Sequence, residues 1–309
     1  MAKKPELQAT ARNREELERV LKAGADAVVI GDDRFASCLP GSWDISAIRW
    51  AVQTAHGQQA RLYVAVNGLF GNSDAELLPD YLREVAATEA DAVLFNDPAV
   101  VAAMRELGLS LPLHWDGEML ATNFETANYW GRRGATRVLL SRELNMEEAL
   151  EFKRSCHLEV QVQVHGITRI YQSKRPLLSH YREHQGKALP GEALGRDEGL
   201  YLVEYERENE RFPVYEDASG THIMSSEDLC MLEDLNELMD GGFDSFKVEG
   251  LLKSMAYNEA VVGFYRQAID AYAADPADWF KQEWLDTIKA LQADGRPLSF
   301  GFYYKEQVY

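Results

Sequence analysis

The sequence predicts an α/β chain folded as a (β/α)8 TIM-type barrel, with a long insertion between strands 7 and 8 and a C-terminal helix plus tail. Three observations predict it. A helix-period segment, a small or glycine-containing turn and a short β-rich apolar run recur along the chain, most clearly in NREELERVLKAGADAVVIG. About eight such runs occur, with helical segments between them. The runs are short and largely apolar, the pattern of parallel strands covered on both faces.

In the first unit Leu17, Val20 and Leu21 fall at helical spacing, Gly24 suits the helix exit, and Val28 to Ile30 form a short buried strand. DAELLPDYLREVAATEADAVLFND, FETANYWGRRGATRVLLSREL and SEDLCMLEDLNELMDGGFDSFKVEG repeat that shape. Strands are expected near residues 6–9, 27–31, 61–66, 92–96, 111–115, 137–141, 158–164 and 244–248, and AYNEAVVGFYRQAIDAYAA supplies the helix after the last. The insertion covers about residues 167–222, far beyond the usual length of a strand-to-helix loop. It contains a β-hairpin expected to turn at Ser219-Gly220. The extension from about 276 to 309 opens with an amphipathic helix whose apolar side carries Trp279, Phe280, Trp284, Ile288 and Leu291, and ends in the aromatic tail SFGFYYKEQVY. Residues 1–309 read as a single barrel domain. An open doubly wound sheet is the alternative, but neither GxGxxG after the first strand nor a GxxxxGK[ST] loop is present.

Composition narrows the function. Lys and Arg number 32 against 50 Asp and Glu, a formal net charge of −18, which opposes unaided, charge-driven binding to nucleic acid. Cys38, Cys156 and Cys230 are scattered, with neither a disulfide framework nor CxxC metal spacing. Cys156 and Cys230 fall in apolar-periodic surroundings and read as core thiols. MAKKPELQAT lacks the apolar run of a signal peptide, and no apolar stretch is long enough to span a membrane, so a soluble cytoplasmic protein is expected.

Barrels of this kind carry their sites at the carboxyl ends of the strands. Those ends hold Thr10, Asp32, Asn67, Asn96 with Asp97, His114 with Trp115, Arg142 with Glu143, His165, and Lys247 with Glu249. Arg142 and Lys247 suit a carboxylate or phosphate, with Asn67 and Asp97 as further substrate contacts. His165, Glu143 and Glu249 are the candidates for moving protons, although both glutamates also suit the plainer task of neutralising the neighbouring bases. Lys174 and Arg175 add a basic run just past the seventh strand. HYREH, residues 180–184, matches the H-x-x-E-H zinc pattern, but no third ligand follows by spacing and Gly186 ends the helix early. It reads as a solvated or RNA-facing basic segment, and no metal is assigned.

Several long segments carry a family resemblance. The start, KPELQATARNREELERVLKAGADAVVIG, the strand ends LLSRELNMEEA and VHGITRIYQSKRPLLSHY, and FPVYEDASGTHIMSSEDLCMLEDLNELMDGGFDSFKVEGLLKS resemble the peptidase U32 family, once called collagenase-like proteases. HWDGEMLATNFETANYWGRRGA and the GFYYKEQVY ending are similar to the shorter of two paired family proteins of Bacillus-type bacteria. The resemblance implies a role in tRNA wobble-uridine hydroxylation to 5-hydroxyuridine, dependent on prephenate and shared with a longer paralogue. It also implies a four-iron–four-sulfur cluster, for which the family places cysteines just after the seventh-strand His-Gly and about seven residues later. Here those neighbourhoods read Ile167-Thr168-Arg169 and Ser173-Lys174-Arg175-Pro176. The expectation is therefore a cluster-free subunit that meets tRNA through its complex. A U32-type peptidase and a non-catalytic scaffold subunit are the alternatives.

Overall fold

The protein is described by a computed structural model covering residues 4–187, 194–293 and 295–306. Eight parallel strands close on themselves: β1 (Glu6–Thr10), β2 (Ala27–Ile30), β3 (Arg61–Val66), β4 (Ala92–Phe95), β5 (Leu113–Asp116), β6 (Ala135–Leu139), β7 (Glu159–Ser173) and, after the insertion, β11 (Ser245–Glu249), which pairs with both β7 and β1. The expected (β/α)8 barrel is the observed one.

Helices α1 (Arg14–Lys22), α2 (Ile45–Gly57), α3 (Asn72–Ala86), α4 (Pro98–Glu106), α5 (Phe124–Gly131) and α6 (Met146–Ser155) alternate with the first seven strands, and α9 (Met255–Ala274) follows β11. The polar residues before these helices start them. Asn13, Asp44, Asp97, Asn123, Asn145 and Ser254 each accept a bond from an N–H of the first turn, satisfying donors the helix leaves unpaired. A large apolar core lies between the outer strand faces and the helices, with Leu7, Val28, Leu62, Val93, Val138 and Val162 on the strand side.

The barrel interior is less apolar than the strand pattern implies. At its floor Arg137 pairs with Glu6, and with Glu159 at 2.7 Å, while the Tyr63 hydroxyl donates to Glu6 at 2.7 Å. One layer higher, Gln161 Nε2 donates to Gln8 Oε1 at 2.9 Å and Ser245 Oγ at 2.7 Å. Small residues Ala27, Ala65 and Ala92 fill the opposite wall. The floor pairs its charges internally, whereas in the layer above Gln8 Nε2 is buried with no hydrogen-bond partner.

The insertion continues the barrel's sheet instead of looping away from it. Beyond His165, β7 rises out of the barrel and pairs antiparallel with β10 (Gly220–Cys230). Strands β9 (Arg207–Asp217) and β8 (Tyr201–Glu204) extend this to a meander. The hairpin turns at Ala218-Ser219, one residue before the expected position, because Gly220 at φ +116° already pairs with Asp217. Helix α7 (Leu177–His184) rides on the meander, and its His180 and His184 are exposed.

SEDLCMLEDLNELMDGG, expected as one helix, begins as strand. Residues through Cys230 belong to β10, and only α8 (Leu235–Asp240) is helical. Two partners override the local helical pattern, since β7 takes one edge of this stretch and β12 (Leu298–Ser299) pairs with Asp228 and Leu229. The extension's helix is α10 (Gln282–Leu291), shorter than expected. Trp284 and Ile288 are buried against α9, whereas Leu291 is exposed and Trp279 and Phe280 precede the helix. After β12 the tail crosses the rim, where the Tyr303 carbonyl accepts from Met146 N at 2.9 Å and its hydroxyl donates to the Gln163 carbonyl at 3.1 Å. No helix among the described residues is long and apolar enough to cross a membrane.

Candidate functional site

The strand ends enclose two connected spaces. The first is the barrel mouth, a cleft of only about 20 Å³ lined by Thr10, Cys38, Asn67, Asp116, Glu118, Arg169, Lys247 and Glu249 among others. The second is a cavity of about 910 Å³ between the ends of β6 and β7, the β8–β10 meander and the C-terminal tail. Arg142, Glu143, Arg207, Arg211, Phe302 and Lys305 are among its walls, and Glu118 lines both spaces.

Opposed charges are interleaved across the mouth. Lys247 Nζ lies 3.1 Å from Glu249 Oε2, and Glu249 Oε1 accepts from Thr10 Oγ1 at 3.2 Å and Leu251 N at 3.0 Å. Burial opposes the Lys247 charge, but Glu249 and Glu118 outweigh it and hold the ammonium above its usual range. Glu118 stands 3.6 Å from Arg169 and 3.8 Å from Arg142. Its burial favours the neutral acid, yet Lys247, Arg169 and Arg142 together hold it below the usual carboxylate range. Asn67 Nδ2 donates to Asp116 Oδ2 at 2.6 Å, and Asn67 Oδ1 accepts from Ser37 N at 3.1 Å.

The structure thus gathers Asn67, Lys247 and Glu249 at the mouth, with Arg142 and Glu143 on the adjoining cavity wall. Arg142 Nη1 is buried without a hydrogen-bond partner, at the cavity edge. The other expected residues lie elsewhere. Asp97 caps α4 through Ala99 N at 2.8 Å. Lys174 pairs with Asp74 at 2.6 Å, and Arg175 is exposed at the base of the meander.

His165 is turned away from the mouth. A register shift between Lys247 and Val248 points its ring at α9, where Nε2 meets the Tyr257 hydroxyl at 2.8 Å and Nδ1 the Tyr265 hydroxyl at 3.4 Å. Complete burial pushes its pKa down to about 3, so it is a neutral core imidazole. The same shift puts Gly166 at φ +102°, where an added Cβ would lie 2.1 Å from the Glu249 carbonyl oxygen. Gly166→Ala is expected to cost about 3 kcal/mol, through backbone strain and overpacking. Denaturant titration checks it, and an unchanged midpoint would refute it.

Sequence reasoning missed Glu118, Asp116 and Arg169. The acidic pair sits openly in HWDGE, Asp116 as the last residue of β5 and Glu118 two residues on. Arg169 was hidden because strand alternation counted from Gln163 runs through the register shift.

The donors for a thiolate-held iron–sulfur cluster do not fit. Such a cluster takes four thiolates, and this chain has three cysteines. They also stand apart: Cys38 follows β2, Cys156 ends α6, and Cys230 is buried beside Tyr265. Among the described residues no group of three or more His, Cys, Asp or Glu is placed to hold a metal ion.

Comparison with known proteins agrees with this architecture. The chain is 41% identical over 309 residues to tRNA hydroxylation protein P2 of Bacillus subtilis, covering 99% of this chain and 100% of that protein. It is 30% identical over 292 residues to tRNA hydroxylation protein P1 of the same organism, covering 93% of this chain and 68% of that one. The solved structure of the U32 peptidase Mk0906 shares the fold at a TM-score of 0.52 and 15% identity, covering 80% of this chain and 93% of that one. The profile of peptidase family U32 matches residues 12–308, everything from the end of β1 through the insertion and into the tail, and the chain belongs to that family.

Proposed function

We propose that this protein acts in tRNA hydroxylation, in the prephenate-dependent conversion of wobble uridine to 5-hydroxyuridine, as a cluster-free subunit beside a longer U32 paralogue. The observation that carries the reading is the end-to-end correspondence with tRNA hydroxylation protein P2. The cavity supports it. About 910 Å³ is small-molecule size, and Arg142, with Arg211 on the same walls, suits a dicarboxylate such as prephenate, while Arg207 is paired with Glu204 and Glu210 and Lys305 with Glu227.

Charge and thiol count support the paired arrangement. A net charge of −18 works against unaided binding to a polyanion, so the tRNA contact is assigned to the complex. With three cysteines here, any cluster the reaction uses belongs to the partner. A paralogue of the P1 kind is the expected companion.

Deleting the gene in a strain without an overlapping paralogue is expected to reduce 5-hydroxyuridine in tRNA to a small fraction of its normal level, read by nucleoside mass spectrometry. The wild-type gene should restore it. An unchanged level would overturn the reading.

A further inference from the structure

The insertion's hairpin brings a second constellation over the mouth. Cys38, on the loop after β2, lies with its Sγ 3.4 Å from His222 Nδ1. His222 Nε2 is 3.1 Å from Asp217 Oδ1, and Ser219 Oγ donates to the same carboxylate oxygen at 2.7 Å. The Tyr215 ring stacks on the imidazole with centroids 4.7 Å apart, and its hydroxyl points at Sγ from 3.8 Å. From β7, Arg169 Nη1 approaches Sγ at 3.6 Å. The cysteine backbone is held at φ 56°, in the left-handed region, which is uncommon for a side chain of this kind.

We propose that Cys38, His222 and Asp217 form a nucleophilic thiolate–imidazolium site at the barrel mouth, whose reactant is a small hydroperoxide. The parts take the roles of a nucleophile, a base and an orienting carboxylate, the first from the loop after β2 and the other two from the β9–β10 hairpin. Cleft size selects the reactant. About 20 Å³ of free space admits a species of two or so heavy atoms and excludes a peptide. Arg169, 4% exposed and with its Nε lacking any partner, lines that cleft beside the sulfur and has a donor free for a peroxide oxygen.

The step balances without a further reagent. The Cys38 sulfur attacks one peroxide oxygen, so an S–O bond forms and the O–O bond breaks. Sulfur is oxidised by two electrons to sulfenic acid, and the peroxide is reduced to water or an alcohol, whose oxygen takes its proton from His222 Nδ1. The electrostatics agree with the geometry. Burial would raise the thiol pKa, but Arg169 and then His222 outweigh it and hold the thiol below its usual range. Burial would likewise lower His222, but its bonds to Asp217 and Cys38 raise it to about 9. The groups facing the sulfur are Arg169 from β7, His222 from β10 and Tyr215 from β9, with Glu118 and Arg142 farther off.

The test uses the intact protein and hydrogen peroxide, with sulfenic acid trapped by a dimedone-type probe and located by mass spectrometry. Cys38 is expected to label at least tenfold faster than Cys156, whose thiol burial pushes up. Its rate should fall above about pH 9, as His222 loses its proton, where an ordinary thiol's rate would still rise. Asp217→Asn and His222→Gln should each slow labelling about tenfold. Labelling of Cys38 no faster than Cys156, or a wild-type rate that climbs through pH 8–9 like an ordinary thiol, would overturn the proposal. The wild-type pH profile decides the matter even if a variant fails to fold.

Discussion

Asp228→Asn is expected to lower the stability of the protein by about 3–5 kcal/mol, a large part of what a typical domain has. Asp228 is 0% exposed and holds three segments together. Lys253, just past β11, donates to its Oδ2, and Gln292 Nε2 donates to the same oxygen at 2.5 Å. Arg296 Nη2 stands 2.7 Å from Oδ1 and also donates to the carbonyls of Ser225 and Glu227. Removing the carboxylate charge leaves a 7% exposed lysine and an arginine facing a neutral amide in a dry site. Breaking one side of a buried pair costs more than the pair contributes intact.

The same substitution has a pH signature. Burial would raise the Asp228 pKa, but Lys253 and Arg296 outweigh it and bring it down to about 2. A carboxylate depressed on folding stabilises fully above its unfolded pKa of about 3.9 and loses that contribution as pH falls through its folded value. The stability gap between wild type and Asp228→Asn should therefore be constant above about pH 4 and narrow between about pH 4 and pH 2. Urea titrations across that range check both the gap and its closure. Faster proteolysis between residues 295 and 306 should accompany the loss, because Gln292 and Arg296 tie the tail down. A variant with a wild-type denaturation midpoint at pH 7 would show that the network adds nothing.

The barrel was legible because each of its units is a local pattern. NREELERVLKAGADAVVIG encodes cap, apolar stripe, turn and strand within a single stretch, and α1 and β2 follow it closely. SEDLCMLEDLNELMDGG was not legible, since its first half is a strand only because β7 and β12 lie on either side. The site divided in the same way. Asn67, Lys247, Glu249 and Arg142 could be placed because strand ends in a closed barrel converge. His165 could not, because one register shift turned its ring to α9. Cys38 and His222 meet only after the insertion folds back over the mouth, so no spacing rule joins residues 184 positions apart.

Arg142→Gln is expected to reduce tRNA hydroxylation by about 10- to 100-fold while leaving the fold in place. A charged hydrogen bond to a bound anion is worth about 1.5–3 kcal/mol, which is that range of affinity. Arg142 is suited to supply one. Its Nη1 is buried, has no hydrogen-bond partner, and faces Glu118 only at 3.8 Å. Burial, with repulsion from Arg169, also holds its pKa below the usual arginine value, although Glu118 and Glu143 act the other way. Glu118 retains Arg169 and Lys247 when Arg142 is lost, so the mouth keeps its balance and the melting temperature should shift by only a few degrees. Arg142→Lys should fall between the two, keeping the charge but not the planar fork that matches a carboxylate. The measurement is 5-hydroxyuridine content in a complemented deletion strain, with co-purification of the proposed paralogue compared between wild type and variant. Full modification by Arg142→Gln with an intact complex would remove the cavity from the reaction and leave the barrel a scaffold for its partner.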